Sequence, residues 1–495
     1  MKILNEVIEV LQSEEIRLLK RLYFNGSDEY ETKGLDLFNL IRQKPDISDK
    51  EASEKIYGKP NPSAFSELKK RLIKNIQDVV LLKGGEKSLQ LNFHQELIDC
   101  RKKIIIADIL LSRGAKISAG QLLEDIVKQS ELFDFPIEQI QSDDLRKNLI
   151  GHSEGTTNYE IIAQKTFINF NKAIKIAESK DLFKSISLQV YFQANKEIQL
   201  KVQSIENLER LKNIYSETKS PNAGFYYYLA GIHCFQLLND TETALKFAKS
   251  FLELVKNNDA VHSNARVGGA NIEIAVILIN KEEYKGAMSY IKEALANFRE
   301  GSENYLQTLQ VQWLAYFHNE DLEDAARLLK TVITPELYKK PKITRGKWLY
   351  FEAFLEFKKK NYRKSLALIS NLKELRQDKS GWLLGCKLLE LMNMIEINDP
   401  EQLEFYSLGT LKKLISGLED ANTKRIKLIY SILNKILKKD LSFEEAFKFC
   451  KKELETLSEG QEEFHWNPTG FELVKFDEWF RSKLNHNPAL VNEEF

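Results

Sequence analysis

The residues of this chain that come nearest to a reacting constellation are Gly151-His-Ser-Glu-Gly155, which satisfy the GxSxG pattern of a nucleophile elbow. In a serine hydrolase that serine stands on a strained strand-to-helix turn, and its aspartate and histidine arrive from later strand ends of a parallel sheet. Here the preceding segment, Ser142 to Ile150, is charged and helical in pattern, and no run of alternating strands surrounds it. The expectation is a glycine-containing turn between two helices. Lys83-Gly-Gly-Glu-Lys-Ser88 lacks the first glycine and the four-residue spacer that wrap backbone amides around a phosphate. Ser66-Glu-Leu-Lys69 meets the SxxK pattern, but both residues lie on an amphipathic helix without the companion motifs.

The seven histidines are scattered and form no HExxH pair. Cys100, Cys234, Cys386 and Cys450 are more than sixty residues apart, with no CxxC pair and no nearby histidine partner. That spacing suits isolated core thiols in a reducing compartment better than a zinc site or a disulfide frame. No catalytic residue, metal or cofactor is expected, and the chain reads as a non-enzyme.

What remains is the scaffold on which such residues would have to sit, and it is helical. With 22 glycines and 10 prolines in 495 residues, the chain is too long for one core and too poor in turn residues for a sheet-rich fold. Lys+Arg and Asp+Glu balance at 72 each, so the chain as a whole has no general attraction for nucleic acid or anionic membrane. The opening MKILNEVIEVLQSEE turns acidic before an apolar signal region is complete, and Ile104 to Leu111 and Ile272 to Ile279 are too short to span a bilayer. A cytoplasmic protein without a membrane partner is expected.

The clearest pattern is a helical hairpin over Ala270 to Phe298. Its second helix places Tyr284, Ala287, Met288, Ile291, Ala294, Leu295 and Phe298 at steps of three and four, one apolar stripe on a 3.6-residue period. Asn280-Lys-Glu-Glu283 is expected to supply an N-cap and a capping box before it. Related turns stand at Asn239 to Glu242, Asn319 to Glu323, Asn361-Tyr362 and Asp399 to Gln402, and the small residues Ala244, Ala287, Ala325 and Ser365 follow one another at 43, 38 and 40. A period near forty with two helices per unit predicts an all-α chain built as an α-solenoid.

Ile274, Ala275, Leu278, Tyr284, Ala287 and Ala294 resemble the small-and-large pattern of tetratricopeptide repeats; Tyr228, Phe235 and Ala244 fit a second copy, and Tyr316 and Ala325 a third. The resemblance covers roughly residues 90 to 458 and implies a right-handed superhelix whose inner groove binds peptides or protein segments. In that frame the groove candidates are Tyr226, His233, Gln307, Gln310, His318, Lys347 and Tyr350.

Three regions are expected: an N-terminal helical domain over 1–88, the repeat array over 89–458, and an acidic tail over 459–495 with one short helix around Phe471 to Leu484. In the first, Ser48 caps a helix ending at Gly58, Lys59-Pro-Asn-Pro62 forces a turn, and a longer helix carries the stripe Phe65, Leu68, Leu72, Ile76 and Val79. Residues 48–82 resemble a helix-turn-helix, with Lys70, Arg71 and Lys74 lying away from the stripe. Lys83-Gly-Gly85 reads as the boundary.

Residues 339–364 carry ten Lys or Arg against two acids, interleaved with Trp348, Tyr350, Phe351, Phe354, Phe357 and Tyr362. The simplest reading is a solvated basic face over a buried aromatic one. Lys347, Lys358 and Arg363 become candidates for capturing an acidic segment if they face the groove. Residues 444–495 hold twelve acids against six Lys or Arg, which suggests a tail that folds back on the basic repeat. The function expected is that of a scaffold or adaptor holding a protein or peptide segment. The alternative is a DNA-binding regulator with the repeats as its sensor, in which nucleic acid is the partner.

Overall fold

The computed structural model describes residues 1–23, 29–83, 92–153, 156–192, 197–335, 337, 342–375, 381–398, 408–416, 423–461 and 464–484. All regular structure among them is helical, and the chain divides into two compact units, Met1–Gln129 and Ser130–Phe495.

The first unit holds α1 (Lys2–Glu9), α2 (Ser13–Tyr23), α3 (Glu29–Gln43), α4 (Asp49–Tyr57), α5 (Pro62–Lys83) and α6 (Asn92–Ser112); α7 (Lys116–Leu132) runs across the division. The Ser48 hydroxyl caps α4 by accepting from the Glu51 amide at 3.2 Å, and Gly58 stops it at φ 72°. Gly58 has that left-handed backbone at no steric cost because it lacks a Cβ. The α5 stripe Phe65, Leu68, Leu72, Ile76 and Val79 is buried against Leu4, Leu19, Leu37 and Phe38 of the earlier helices.

In the second unit, α8 (Pro136–Ser153), α9 (Thr156–Phe192) and α10 (Glu197–Thr218) precede a run of hairpins. These are α11 (Pro221–Leu237) with α12 (Thr241–Asn257), α13 (Asn264–Asn280) with α14 (Tyr284–Asn297), α15 (Glu303–His318) with α16 (Leu322–Val332), and α17 (Lys342–Lys358) with α18 (Tyr362–Ser370). There follow α19 (Trp382–Ile397), α20 (Leu408–Ser416), α21 (Thr423–Leu437), α22 (Phe443–Glu459) and α23 (Phe476–Leu484). From α8 to α19 each helix packs on the next, and the first helices α13 and α15, and α17 and α19, also touch.

One turn recurs in all four hairpins. Asn239, Glu282, Glu320 and Lys360 have φ of 57°, 61°, 63° and 62°, and each stands five residues before a small residue of the second helix. After each of them a backbone amide closes the first helix: Asp240 on Phe235, Glu283 on Leu278, Asp321 on Tyr316 and Asn361 on Glu356, all at 2.8–2.9 Å. This is a Schellman-type ending, in which the left-handed residue turns the chain and the helix's last carbonyls are satisfied. The small residues Ala244, Ala287, Ala325 and Ser365 are then fully buried. At Ser365 the hydroxyl donates to the Ala353 carbonyl at 2.8 Å.

The expected capping box at Asn280 to Glu283 is not what makes the turn. Asn280 ends α13, and Glu283 is the N-cap of α14 without a side-chain cap bond. Only Asp240 caps with its side chain, accepting from the Thr243 amide at 3.0 Å. The ending of the first helix already fixes the geometry, so a cap is optional. The turn expected at Asp399 to Gln402 lies outside the described residues.

The start of the second unit is tied down by Asp134, buried at φ 57° between α7 and α8. Its carboxylate accepts from the Ser220 hydroxyl at 2.5 Å and the Asn222 side chain at 3.2 Å, and it pairs with Lys172 of α9.

Three of the four hairpin turns place a residue other than glycine or asparagine in the left-handed region, which costs roughly 1–2 kcal/mol per residue. Lys360 is exposed. Lys360→Gly is therefore expected to raise stability by about 0.5–1 kcal/mol, after the greater freedom of glycine in the unfolded chain is counted. Urea denaturation of wild type and variant checks it; an unchanged or lower midpoint would count against the turn as described.

Candidate functional site

The basic, aromatic segment separates into two faces. Trp348, Tyr350, Phe351, Phe354 and Phe357 are buried, and Trp313 stacks on Phe351 with ring centroids 4.4 Å apart. The cations lie outside this core: Lys347 sits over the Trp382 ring at 4.7 Å, Lys358 pairs with Glu320 at 2.5 Å, and Arg363 is exposed on α18, a second helix. Lys339 and Lys340 lie outside the described residues.

The C-terminal segment folds back, and among the described residues its hydrogen bonds reach Asn280, His318 and Tyr350. Residues 464–475 run as a non-helical strap over the first helices, and α23 completes it. The strap explains why the last helix starts at Phe476 and not at Phe471. The Thr469 hydroxyl donates to the Asn280 side-chain oxygen at 3.2 Å, the His318 ring bonds the Pro468 carbonyl at 2.8 Å, and the Tyr350 hydroxyl donates to the Phe471 carbonyl. Trp466 meets the His318 ring edge to face at 5.5 Å. Gly385 of α19 makes room: a Cβ there would fall 2.6 Å from the Phe471 carbonyl oxygen.

Arg425, in the first turn of α21, anchors the strap. It is 6% exposed, and its guanidinium grips Glu472 bidentately, Nε to Oε2 at 2.7 Å and Nη2 to Oε1 at 2.8 Å. Nη2 also reaches Asp477 at 3.1 Å, and Nη1 donates to the carbonyls of Leu457 and Phe464, each at 3.0 Å. All five N–H groups thereby have acceptors, which is what a buried guanidinium requires. Burial by itself would lower the Arg425 pKa, but Glu472 and Asp477 outweigh it and hold the group above its ordinary value. Around this ion cluster pack Phe476, Trp479 and Phe480, members of the same core as Trp313 and Trp348.

Two of the residues expected in a groove, His318 and Tyr350, thus meet a segment of their own chain. Burial pushes the His318 imidazole down to about 4, so at neutral pH the ring is uncharged and its Nε2–H donates to the Pro468 carbonyl. His233 is likewise lowered to about 4 by burial, and its Nδ1 is 3.1 Å from the Ser187 hydroxyl of α9. Tyr226 packs on Phe225 and Phe183. Gln307 is exposed and Gln310 partly so, both on α15. Counted back from the small residue of each hairpin, Gln310 occupies the position that Tyr350 holds one unit later.

Beside these stands a group that the candidate residues do not include. Glu273 of α13 is partly exposed, yet enough protein surrounds it that burial lifts its carboxyl to about 7. Among the described residues it has no hydrogen bond or ion pair. Its only mark in the sequence is an acid breaking the apolar run Ile272 to Ile279.

The remaining motifs find no supporting context. α8 continues through Ser153, and no strand among the described residues supplies the turn a nucleophile elbow needs; Glu154, Gly155 and Gly84 to Ser88 lie outside the described residues. Lys69 of the SxxK match is paired with Asp49 at 2.5 Å. The four cysteines are buried and form no disulfide among the described residues, and burial raises the thiols of Cys234 and Cys450 to about 11. Among the described residues there is no group of metal-ligating side chains, and no helix is long and apolar enough to cross a membrane. A cavity of about 240 Å³ beside Asp134, Gln139, Lys165 and Lys172 has its central acid already engaged by Ser220, Asn222 and Lys172. On α5, Lys70, Arg71 and Lys74 are exposed, with Glu67 3.6 Å from Arg71.

Two outcomes follow from these charges. Arg425→Met leaves Glu472 and Asp477 buried without a counter-ion and is expected to cost about 3–5 kcal/mol. Limited proteolysis checks it, with cleavage within 464–484 appearing in the variant; equal resistance would contradict the anchoring role. For Glu273, the folded chain holds its proton up to a higher pH than the unfolded chain, whose carboxyl has the ordinary value of 4.5. The folded state therefore binds more protons between about 4.5 and 7, and stability falls as pH rises through that window. Glu273→Gln is expected to melt higher than wild type at pH 8, with the difference shrinking toward pH 4.5; a difference independent of pH would rule this out.

No protein-family model matches the chain, and no curated protein sequence is significantly similar to it.

Proposed function

We propose that the hairpins from α11 onward form a tetratricopeptide-like α-solenoid, and that this protein is a non-catalytic scaffold or adaptor in the cytoplasm. Its first helices hold an extended segment of another protein. The observation that supports this most directly is the strap: an irregular stretch of this same chain lies on first helices α13, α15, α17 and α19, bonded through its backbone carbonyls to His318 and Tyr350. Such contacts use backbone groups that every peptide carries, so the same face elsewhere suits a foreign segment. Among the described residues the strap's hydrogen bonds to α13 and α15 fall on their last residues, Asn280 and His318, and the earlier turns, with Gln307, Gln310 and Glu273, are the part of this face that a partner would take. Buried thiols fit a reducing compartment.

A second reading, regulation through DNA, draws on α4 and α5, where a capped short helix, a tight turn and a long helix with exposed Lys70 and Lys74 follow one another.

Photo-crosslinking in the native cell separates them. A benzophenone amino acid at position 310 is expected to give one defined protein adduct, while the same group at exposed position 292, on the second helix α14, gives none. Equal adducts from both positions, or none from either, would refute the groove reading. Loss of duplex-DNA binding in Lys70→Ala/Lys74→Ala would favour the second.

A further inference from the structure

After its first two residues α13 is buried except along one stripe, Arg266, Gly269, Ile272, Glu273, Val276 and Asn280, whose members recur mainly at steps of three and four. Both ends of the stripe are occupied. At one end the Arg266 guanidinium donates to the Val261 carbonyl at 3.1 Å and lies over the Phe225 ring at 4.4 Å. At the other, Asn280 accepts from Thr469 of the strap. Between them Glu273 carries a carboxylate that the described residues leave without hydrogen bond or ion pair. Above Gly269, one turn away, there is open space where a Cβ would stand.

The neighbouring first helices supply no cation to this carboxylate. His233 is uncharged at neutral pH, and Tyr226, Gln307 and Gln310 are neutral. An acid surrounded by protein and lacking a counter-ion destabilises the fold, and an arriving cation would find its attraction little screened. The strap ends its contact with α13 at Asn280, seven residues from Glu273, or roughly 10 Å at the helical rise. A segment lying on the stripe would therefore continue a path that the chain itself already follows.

We propose that this stripe of α13 binds an extended segment of a partner protein whose lysine or arginine side chain pairs with Glu273. The inference rests on the groove reading above and adds the charge of the partner's anchor: cationic, where the basic segment 339–364 had suggested an acidic one. Lys347 and Lys358, the first-helix cations behind that suggestion, are engaged with Trp382 and Glu320.

The test is a peptide-display selection against the full chain with nine randomised positions, followed by synthesis of the best binder and of its copy with citrulline or norleucine replacing the Arg or Lys. The expected result is a cation at one fixed position in the selected peptides. Neutralising it should weaken binding about tenfold to wild type and less than about twofold to Glu273→Gln. Selected peptides that lack a common cation, or that lose equal affinity to both proteins, overturn the anchor. If such peptides still compete with crosslinking at position 310, the groove reading survives that result. A selection that yields no binder while the 310 adduct forms overturns the anchor alone; no binder and no adduct overturn both. Glu273→Gln is expected to fold at least as stably as wild type, and its melting curve guards against a misfolded control.

Discussion

A buried guanidinium is tolerable only when every one of its donors is met, and Arg425 meets that condition with groups drawn from three places in the chain. Two carboxylates come from the strap and the start of α23, one carbonyl from the end of α22, and one from the start of the strap. The requirement works in both directions. Glu472 and Asp477 are buried acids that need Arg425, and Arg425 needs the strap in place to fill its last positions. The strap's path across the first helices, the room left by Gly385 and the burial of Tyr350 all follow from that fixed point.

This arrangement gives the acidic C-terminal region a structural use. Among the described residues, three of its acids are held in pairs: Glu472 and Asp477 by Arg425, and Glu453 by Lys435. Its aromatic residues Phe476, Trp479 and Phe480 join the core of the late hairpins. A segment held in this way covers apolar surface of the late hairpins, with Phe476, Trp479 and Phe480 buried in the same core as Trp313 and Trp348. A tail held by net charge alone would detach with salt; this one is held by burial, where screening is weak.

The recurring left-handed residue gives hairpins of unequal spacing the same turn. The small residues are separated by 43, 38 and 40, yet the spacing from the left-handed residue to the small one is always five. Length variation falls in the helices and in the links between hairpins, while the tight turn within each hairpin is constant. That constancy fixes the register of the second helix against the turn, and counted back from the small residue Gln310 holds the position that Tyr350 holds in the next hairpin.

How much of this was legible follows the range of the interactions. The sequence by itself determined the helices and their apolar faces, because these depend on spacings of three to seven residues: the α5 stripe, the stripe of α14, the buried aromatics between Trp348 and Phe357, and the isolation of the four cysteines. It located the turns but misassigned their chemistry, since a left-handed glutamate or lysine carries no composition signal whereas a capping box does. Only the tertiary structure decided what the long-range partners are. Arg425 lies 47 and 52 residues from its two acids, and Tyr350 lies 121 from Phe471. No local pattern marks such pairs, because burial and pairing are set by which helices the turns bring side by side. The same holds for Glu273, an acid with no distinguishing local pattern in the sequence, whose surroundings, without a hydrogen bond or ion pair among the described residues, exist only once the helices around it are packed.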